Sequence, residues 1–377
     1  MPKTVAFLWS NVSGYMARCW KTLARRGDYA VYVIARNTGV QSEYSPGVMT
    51  GVQWERTEGT LGRRTEQVRA LFRRLKPDIV VVGGWSDRAY LAGLLYHRAN
   101  VVRILAMDNV TREGRRQWLA KPVLHWITSH FDFVMVPGER AAQYAVAIGV
   151  PWGRIRTPLY GIDFDAFAIA NRERVGWPSR FAFVGRYVEE KGTRVLLQAY
   201  RRYRRLVSDP WELITCGAGP LKGEVARAEG VNDVGFVQPH DLPRVLAQAG
   251  AFVLPSSHDN WGVAIAEAAA AGLPIIATRT CGAIVECVRD GWNGYVIPPD
   301  DVEALCDAFL AVHRSQDLRV MGERSLELAR PFAAEQWAAA WVRMFEEAFE
   351  HRRPKKQPWA EGYDSRFSPH QGSPHQG

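Results

Sequence analysis

No run of about 18 consecutive apolar residues occurs in this chain, so no membrane-spanning helix is expected. The amino terminus passes at once into the apolar stretch at residues 4–9, without the basic segment, apolar core and cleavage site of a secretory leader. A cytoplasmic protein is therefore expected. Cysteine is scarce. Cys19, Cys216, Cys281, Cys287 and Cys306 are odd in number and lack CxxC or zinc-ligand spacing, which points to reduced thiols rather than a disulfide framework or a structural metal. The small polar turn after the first apolar stretch, Ser10-Asn11-Val12-Ser13-Gly14-Tyr15, carries no Gly-x-Gly-x-x-Gly, which argues against a dinucleotide cofactor. No nucleic-acid-binding motif accompanies the basic residues either, so nucleic acid is not an expected partner.

The 377 residues present suffice for two domains, each with its own core. Charge is spread unevenly between the two halves. Residues 1–178 hold 25 Lys and Arg against 14 Asp and Glu, whereas the remainder holds 23 against 25. A basic first half implies an anionic partner there, such as phosphate or an anionic lipid surface; a merely solvated basic face is the alternative. Within that half Arg112, Arg115, Arg116, Trp118, Lys121, His125 and Trp126 interleave cations with tryptophans. That composition suits a membrane interface, and it suits tryptophans packed in a core equally well.

Strands and helices alternate along the chain. Apolar runs at residues 4–9, 29–35, 77–83 and 101–107 read as strands, and 63–76 as a basic helix with Val68, Leu71, Phe72 and Leu75 on one face. The pattern restarts at 181–184, 211–216, 234–237, 252–254 and 275–278, again with helices between. Repeated strand–helix alternation predicts α/β domains with parallel sheets. A last amphipathic helix is expected over 333–350. Residues 351–377, rich in Pro, Lys, Gly, Ser and Gln, read as a disordered tail, with His370 and His375 part of it rather than a metal site.

The most informative stretch is FVLPSSHDNWGVAIAEAAAAGLPIIAT, residues 252–278. A strand breaks at Pro255, a polar turn carries Asp259 and Asn260, and an alanine-rich helix over 262–271 stops at Gly272 and Pro274. The free amides at the helix start, around Trp261, Gly262 and Val263, form an anion site, and a small residue there lets a phosphate approach. Glu267 follows about 7 Å further along the axis. A carboxylate so placed accepts two hydrogen bonds from a vicinal diol while a diphosphate occupies the helix end and Asp259 flanks it. A plain core helix with one Glu is the competing account. Arg186 and Lys191 lie five apart in Gly185-Arg186-Tyr187-Val188-Glu189-Glu190-Lys191-Gly192, at a strand's carboxyl end, where ligands of α/β sheets bind. A two-pronged guanidinium and a point-charge ammonium can clamp a diphosphate. Gly217-Ala218-Gly219-Pro220 follows the next strand as a turn that needs small residues.

These strings resemble the family-4 retaining glycosyltransferases of the GT-B fold. FVGRYVEEKG is similar to that family's phosphate clamp, and the segment from Asp259 to Glu267 to its E-x7-E region, with Asp259 in place of the first Glu. The likeness is close over residues 180–300 and looser before them. It implies two Rossmann-like α/β domains facing each other across a cleft: an acceptor domain at 1–168, a nucleotide-sugar domain at 169–332, and the 333–350 helix packed back on the first. By the same resemblance, the first acid contacts the donor sugar and the second its ribose; Asp259 is shorter than Glu by about 1.5 Å. The Gly14 loop faces the cleft. Asp108, in LAMDN, stands where the family often has a His, and either serves the reacting sugar and acceptor or caps a helix. Glu286 either touches the sugar or caps a helix, and the nucleobase lies near Phe236 and Val237.

The implied catalytic set is thus Arg186, Lys191, Asp259 and Asp108. The implied donor-binding set is Gly185, Glu267, Asn260, Trp261, Gly262, Val263, Gly14, Gly217, Val237 and Glu286. No metal or other cofactor is implied, because fixed cations and a helix N-terminus can stabilise a leaving diphosphate; Asp163 and Asp165 mark the interdomain crossover instead. The expected activity is retaining sugar transfer from a nucleotide-sugar donor, with UDP favoured, to a saccharide or lipid-linked acceptor at the inner face of the membrane. An epimerase of the same architecture and a non-catalytic sugar-nucleotide sensor remain open.

Overall fold

The computed structural model describes residues 2–36, 44–93, 101–111, 115–172, 174 and 176–352. Seven strands of the first half, β1 (Lys3–Trp9), β2 (Tyr29–Ala35), β3 (Gln53–Arg56), β4 (Ile79–Gly83), β5 (Val102–Ala106), β6 (Phe133–Met135) and β7 (Ile155–Arg156), form one sheet. Its order is β3-β2-β1-β4-β5-β6-β7, with every pairing parallel. Six more, β8 (Arg180–Val184), β9 (Glu212–Cys216), β10 (Val231–Gly235), β11 (Ala251–Leu254), β12 (Ile275–Thr278) and β13 (Gly294–Ile297), form a second parallel sheet ordered β10-β9-β8-β11-β12-β13. Both orders reverse direction once, between β1 and β4 and between β8 and β11, and crevices open at the carboxyl ends of strands at such points.

The central strands are apolar without alternation because helices cover both faces. Every residue of β11 and β12 is buried. The edge strand β3 escaped the sequence reading for the opposite reason: all four of its residues are exposed, so it carries no apolar signal. The strand expected at 234–237 lies earlier, at Val231–Gly235, and Val234 itself is exposed. Two helices that the sequence reading did not identify, Val302–Arg314 and Leu318–Ala329, follow β13.

The chain crosses between the two sheets twice, side by side. Ile162 donates its amide to Phe332 O at 2.8 Å, and Ala334 donates to Ile162 O at 2.9 Å. The final helix, Ala334–Arg352, then lies on the first sheet's helical layer, burying Trp337, Trp341 and Phe345 against Phe7, Trp20 and Tyr29. Its two indoles also donate to carbonyls of the crossover, Trp337 to Leu159 O at 2.8 Å and Trp341 to Pro158 O at 3.0 Å. Among the described residues no helix is long and apolar enough to cross a membrane. Residues 353–377, with His370 and His375, lie outside the described residues, as does Arg112. All five cysteines are free and buried.

Candidate active site

A cleft of about 960 Å³ lies between the two halves. The first half lines it with Gly14, Tyr15, Tyr44, Asp108 and Tyr160; the second contributes the loops after β8, β9 and β11 and the start of the helix Val263–Ala270. Of the fourteen residues singled out from sequence, thirteen line it: Gly14 and Asp108 from the first half, Val237 after β10, and ten in those loops and that helix.

The loop after β8 turns at Gly192, whose φ of +69° suits glycine. A Cβ there would also meet Pro255 O at 1.9 Å. This close approach carries Lys191 across to the turn after β11, where its Nζ pairs with Asp259 Oδ2 at 2.5 Å. The same carboxylate oxygen lies at the start of the alanine-rich helix, 3.4 Å from where a Cβ on Gly262 would stand. Gly262 is that helix's N-cap, at φ +87°, and without a side chain it leaves the first-turn amides uncapped. Ammonium, carboxylate and helix N-terminus therefore meet at one point. Arg186 lines the same cleft, but its guanidinium is half exposed and its nearest carboxylate is Glu190, at 3.9 Å. Lys191 is thus engaged with Asp259 at the helix start, while Arg186 stands at the rim.

The glycines after β9 have a packing role. A Cβ on Gly217 would stand 1.9 Å from Gly185 O, and one on Gly219 would stand 2.5 Å from Tyr187 O. The loops after β8 and β9 are pressed together, and Tyr187, buried beneath them, donates its hydroxyl to Asp233 at 2.6 Å.

Glu267 also lines the cleft. Part of its surface stays open, yet protein surrounds the carboxyl at longer range, and this burial raises its pKa to about 7. Asp108 faces the cleft from the end of β5 and accepts a hydrogen bond from the Tyr160 hydroxyl at 2.9 Å. Burial first, and the Asp108 charge second, hold the Tyr160 phenol well above its usual range, so it remains a donor. Asn260 is engaged with His258 Nε2 at 3.0 Å. Trp261 reaches the cleft, but its ring is buried between Phe332 and Tyr160, with centroids 5.0 and 5.8 Å away, and acts as packing.

Glu286 is the exception. It lies outside the cleft and reaches into the first half, where its Oε1 accepts from the Glu139 amide at 2.7 Å. That amide opens the helix Glu139–Ala147, and Gly138 before it has no room for a Cβ, which would stand 2.3 Å from the same oxygen. Glu286 therefore caps a helix of the opposite sheet's layer rather than touching a sugar; burial raises its pKa. Arg140 reinforces the contact by donating to Cys281 O at 3.3 Å. Removing an N-cap acceptor costs about 0.5–2 kcal/mol. Glu286→Ala is accordingly expected to lower unfolding free energy by that amount in denaturant titration, with nucleotide affinity unchanged.

Against this geometry, residues 12–161 match the family described as Glycosyl transferase 4-like domain, and residues 178–315 match Glycosyl transferases group 1. The chain therefore carries a domain of each of these two glycosyltransferase families, one in each half. The GDP-mannose-dependent alpha-(1-6)-phosphatidylinositol monomannoside mannosyltransferase of Mycolicibacterium smegmatis is 28% identical over 328 residues, which is 79% of this chain and 84% of that protein. An amylovoran biosynthesis glycosyltransferase of Erwinia amylovora is 27% identical over 48% of each chain, so the match spans about half the length of that relative. HepE of Anabaena, solved in complex with UDP, superposes with a TM-score of 0.72 at 15% identity, over 91% of this chain and all of that one. That likeness confirms the GT-B arrangement of two parallel-sheet α/β units.

Among the cleft residues that sequence reading did not single out are Tyr15, Tyr44 and Tyr160. Tyr160 stacks edge-on against Tyr15 at 5.5 Å, and Tyr44 packs edge-on against Phe236 of the second half at 5.5 Å. Tyr160 sits in the crossover string itself, but a lone tyrosine beside Gly161 carries no local mark of a site 52 residues away from Asp108.

Proposed function

We propose that this protein transfers a sugar, with retention at the anomeric carbon, from a nucleoside diphosphate donor to a saccharide or lipid-linked acceptor in polysaccharide or glycoconjugate synthesis. A UDP-sugar is the favoured donor. The observation that carries the reading is the convergence of Lys191, Asp259 and the uncapped helix start at Gly262. In the transfer step the bond from the anomeric carbon to the β-phosphate oxygen breaks and its electron pair leaves with the diphosphate. The acceptor oxygen bonds to the same face of the sugar, and its proton passes to the departing phosphate. Lys191, the helix amides and Arg186 hold the charge that accumulates there. Glu267 accepts hydrogen bonds from the ribose hydroxyls, and Asp108, fixed by Tyr160, faces the transferred sugar. No residue of this account requires a metal ion. The basic first half holds the acceptor against an anionic membrane surface.

The deciding experiment incubates the purified protein with a panel of UDP-, GDP- and ADP-sugars and reads nucleotide release and the sugar product. Release with one donor, and a product keeping the donor's anomeric configuration, is expected. An epimerised sugar nucleotide, or tight binding with no release in the presence of acceptors, would replace this reading with one of the alternatives.

The Glu267 carboxyl provides a separate check. Only the ionised form accepts both ribose hydrogen bonds, and its pKa stands near 7. UDP-glucose affinity is therefore expected to rise as pH increases through about 7, while Glu267→Gln gives weak, flat affinity across that window in calorimetric titration. The linkage to folding has the opposite sign. A carboxyl with a raised native pKa binds more protons folded than unfolded, so its contribution to stability falls between about pH 4.5 and 7.

A further inference from the structure

The helix Arg115–Ser129 rests on the first sheet through Leu124 and Thr128, with Ala120 and Ile127 against the same core. Its outward face ought to be polar, as it is on a surface helix. It is not. Leu119, Val123 and Trp126 are 72%, 61% and 64% exposed. At 3.6 residues per turn they fall within an arc of about 60°, so they form one continuous apolar stripe. Large exposed apolar side chains are unremarkable singly; three in line on one helix mark a surface that something covers.

The charge pattern along this helix selects what covers it. Residues 115–130 contain Arg115, Arg116 and Lys121 and not one Asp or Glu. Arg115 and Arg116 precede Leu119 in the sequence, and exposed His130 follows Trp126 by about one turn, its ring 4.7 Å from the indole. A second copy of the chain, docking by twofold symmetry, would bring these cations against their own counterparts. An apolar strip with a tryptophan, bounded by cations and free of acids, has instead the chemistry of a helix lying in an anionic lipid interface. The surplus of basic residues over the whole first half acts in the same direction at longer range.

We infer that the outward face of this helix, through Leu119, Val123 and Trp126, is the surface by which the protein lies on an anionic bilayer. This specifies the membrane contact in the proposed function, yet it does not depend on the transfer chemistry. The stripe and the cleft residues lie on separate elements, so the two readings fail independently.

The test uses the full chain in flotation with vesicles of phosphatidylcholine alone or mixed with phosphatidylglycerol. The wild type is expected to float with phosphatidylglycerol vesicles and to be released by high salt. The triple variant Leu119→Ser, Val123→Ser, Trp126→Ser is expected to lose partitioning by about tenfold or more, since membrane affinity scales with buried apolar area. Leu206→Ser, an exposed apolar site on the other half, should change nothing. Nucleotide release from a soluble donor should be equal in all of them. Undiminished flotation of the triple variant overturns the proposal, as does a wild type that floats with neither vesicle. So does a wild-type dimer in light scattering that the triple variant converts to monomer, because the occupant would then be a second copy.

Discussion

Lys191→Ala is expected to lower kcat with a saturating sugar nucleotide by about 100-fold or more, by analogy with the 10²–10³ lost when one preorganised donor is removed from a charge-stabilising site. Two effects act together. The ammonium that faces the leaving diphosphate is gone. In addition Asp259, whose side chain is 13% exposed and paired only with Lys191 among the ion pairs described, is left as an uncompensated carboxylate beside the helix start. That carboxylate repels the diphosphate it formerly flanked, so KM should rise along with the fall in kcat. The added variant Asp259→Asn separates the effects. Lys191→Ala with Asp259→Asn should recover donor affinity relative to Lys191→Ala alone, but not turnover, since the stabilising cation is still missing. Turnover near wild type in the single variant would remove Lys191 from the chemistry, and with it the transfer reading. Arg186→Ala should be milder, because that guanidinium stands at the rim with half its surface in solvent.

The sequence carried the second half of the molecule more legibly than the first, and for a physical reason. A buried parallel strand is a short apolar run bounded by turn residues, and β11, β12 and the helix between them are punctuated by Pro255, Gly262, Gly272 and Pro274. The helix expected at 262–271 is observed at Val263–Ala270. Lys191 was legible as a cation at a strand's carboxyl end, but its partner was not, because the stretch separating it from Asp259, 68 positions on, carries no mark that Gly192 will press against Pro255. Contacts between the halves were hidden altogether. Glu286 read as a ligand-binding acid or a helix cap with no way to choose, since the helix it caps lies 147 residues earlier. Tyr44 and Tyr160 were not singled out at all. The edge strand β3, exposed throughout, left no periodic trace. Local pattern fixes what an element is; which elements meet across a cleft depends on packing of the whole chain.

Gly217→Ala tests whether the pressed loops after β8 and β9 are part of the site or only its scaffold. The added methyl would stand 1.9 Å from Gly185 O and 3.0 Å from the Tyr187 ring, and neither neighbour is the free end of a flexible side chain. One loop must move by more than an ångström. Overpacking of this kind costs about 1–3 kcal/mol, which should appear as a lowered unfolding midpoint in denaturant. The larger effect is expected on turnover. Gly185 opens the segment that carries Arg186 and Lys191, and its amide is tied to Cys216 O at 3.0 Å, one residue before Gly217. A shift there displaces Lys191 from the helix start and Arg186 from its place on the cleft rim, and a displacement of about 1 Å of a positioning group costs on the order of 100-fold in rate. Gly27→Ala serves as the comparison. That glycine, unlike Gly217, has φ above zero, but no atom lies within 4 Å of an added Cβ, so strain alone should lower its stability and leave kcat untouched. If Gly217→Ala loses stability but keeps full turnover, the loops only support the fold, and the clamp must hold its phosphate by another route.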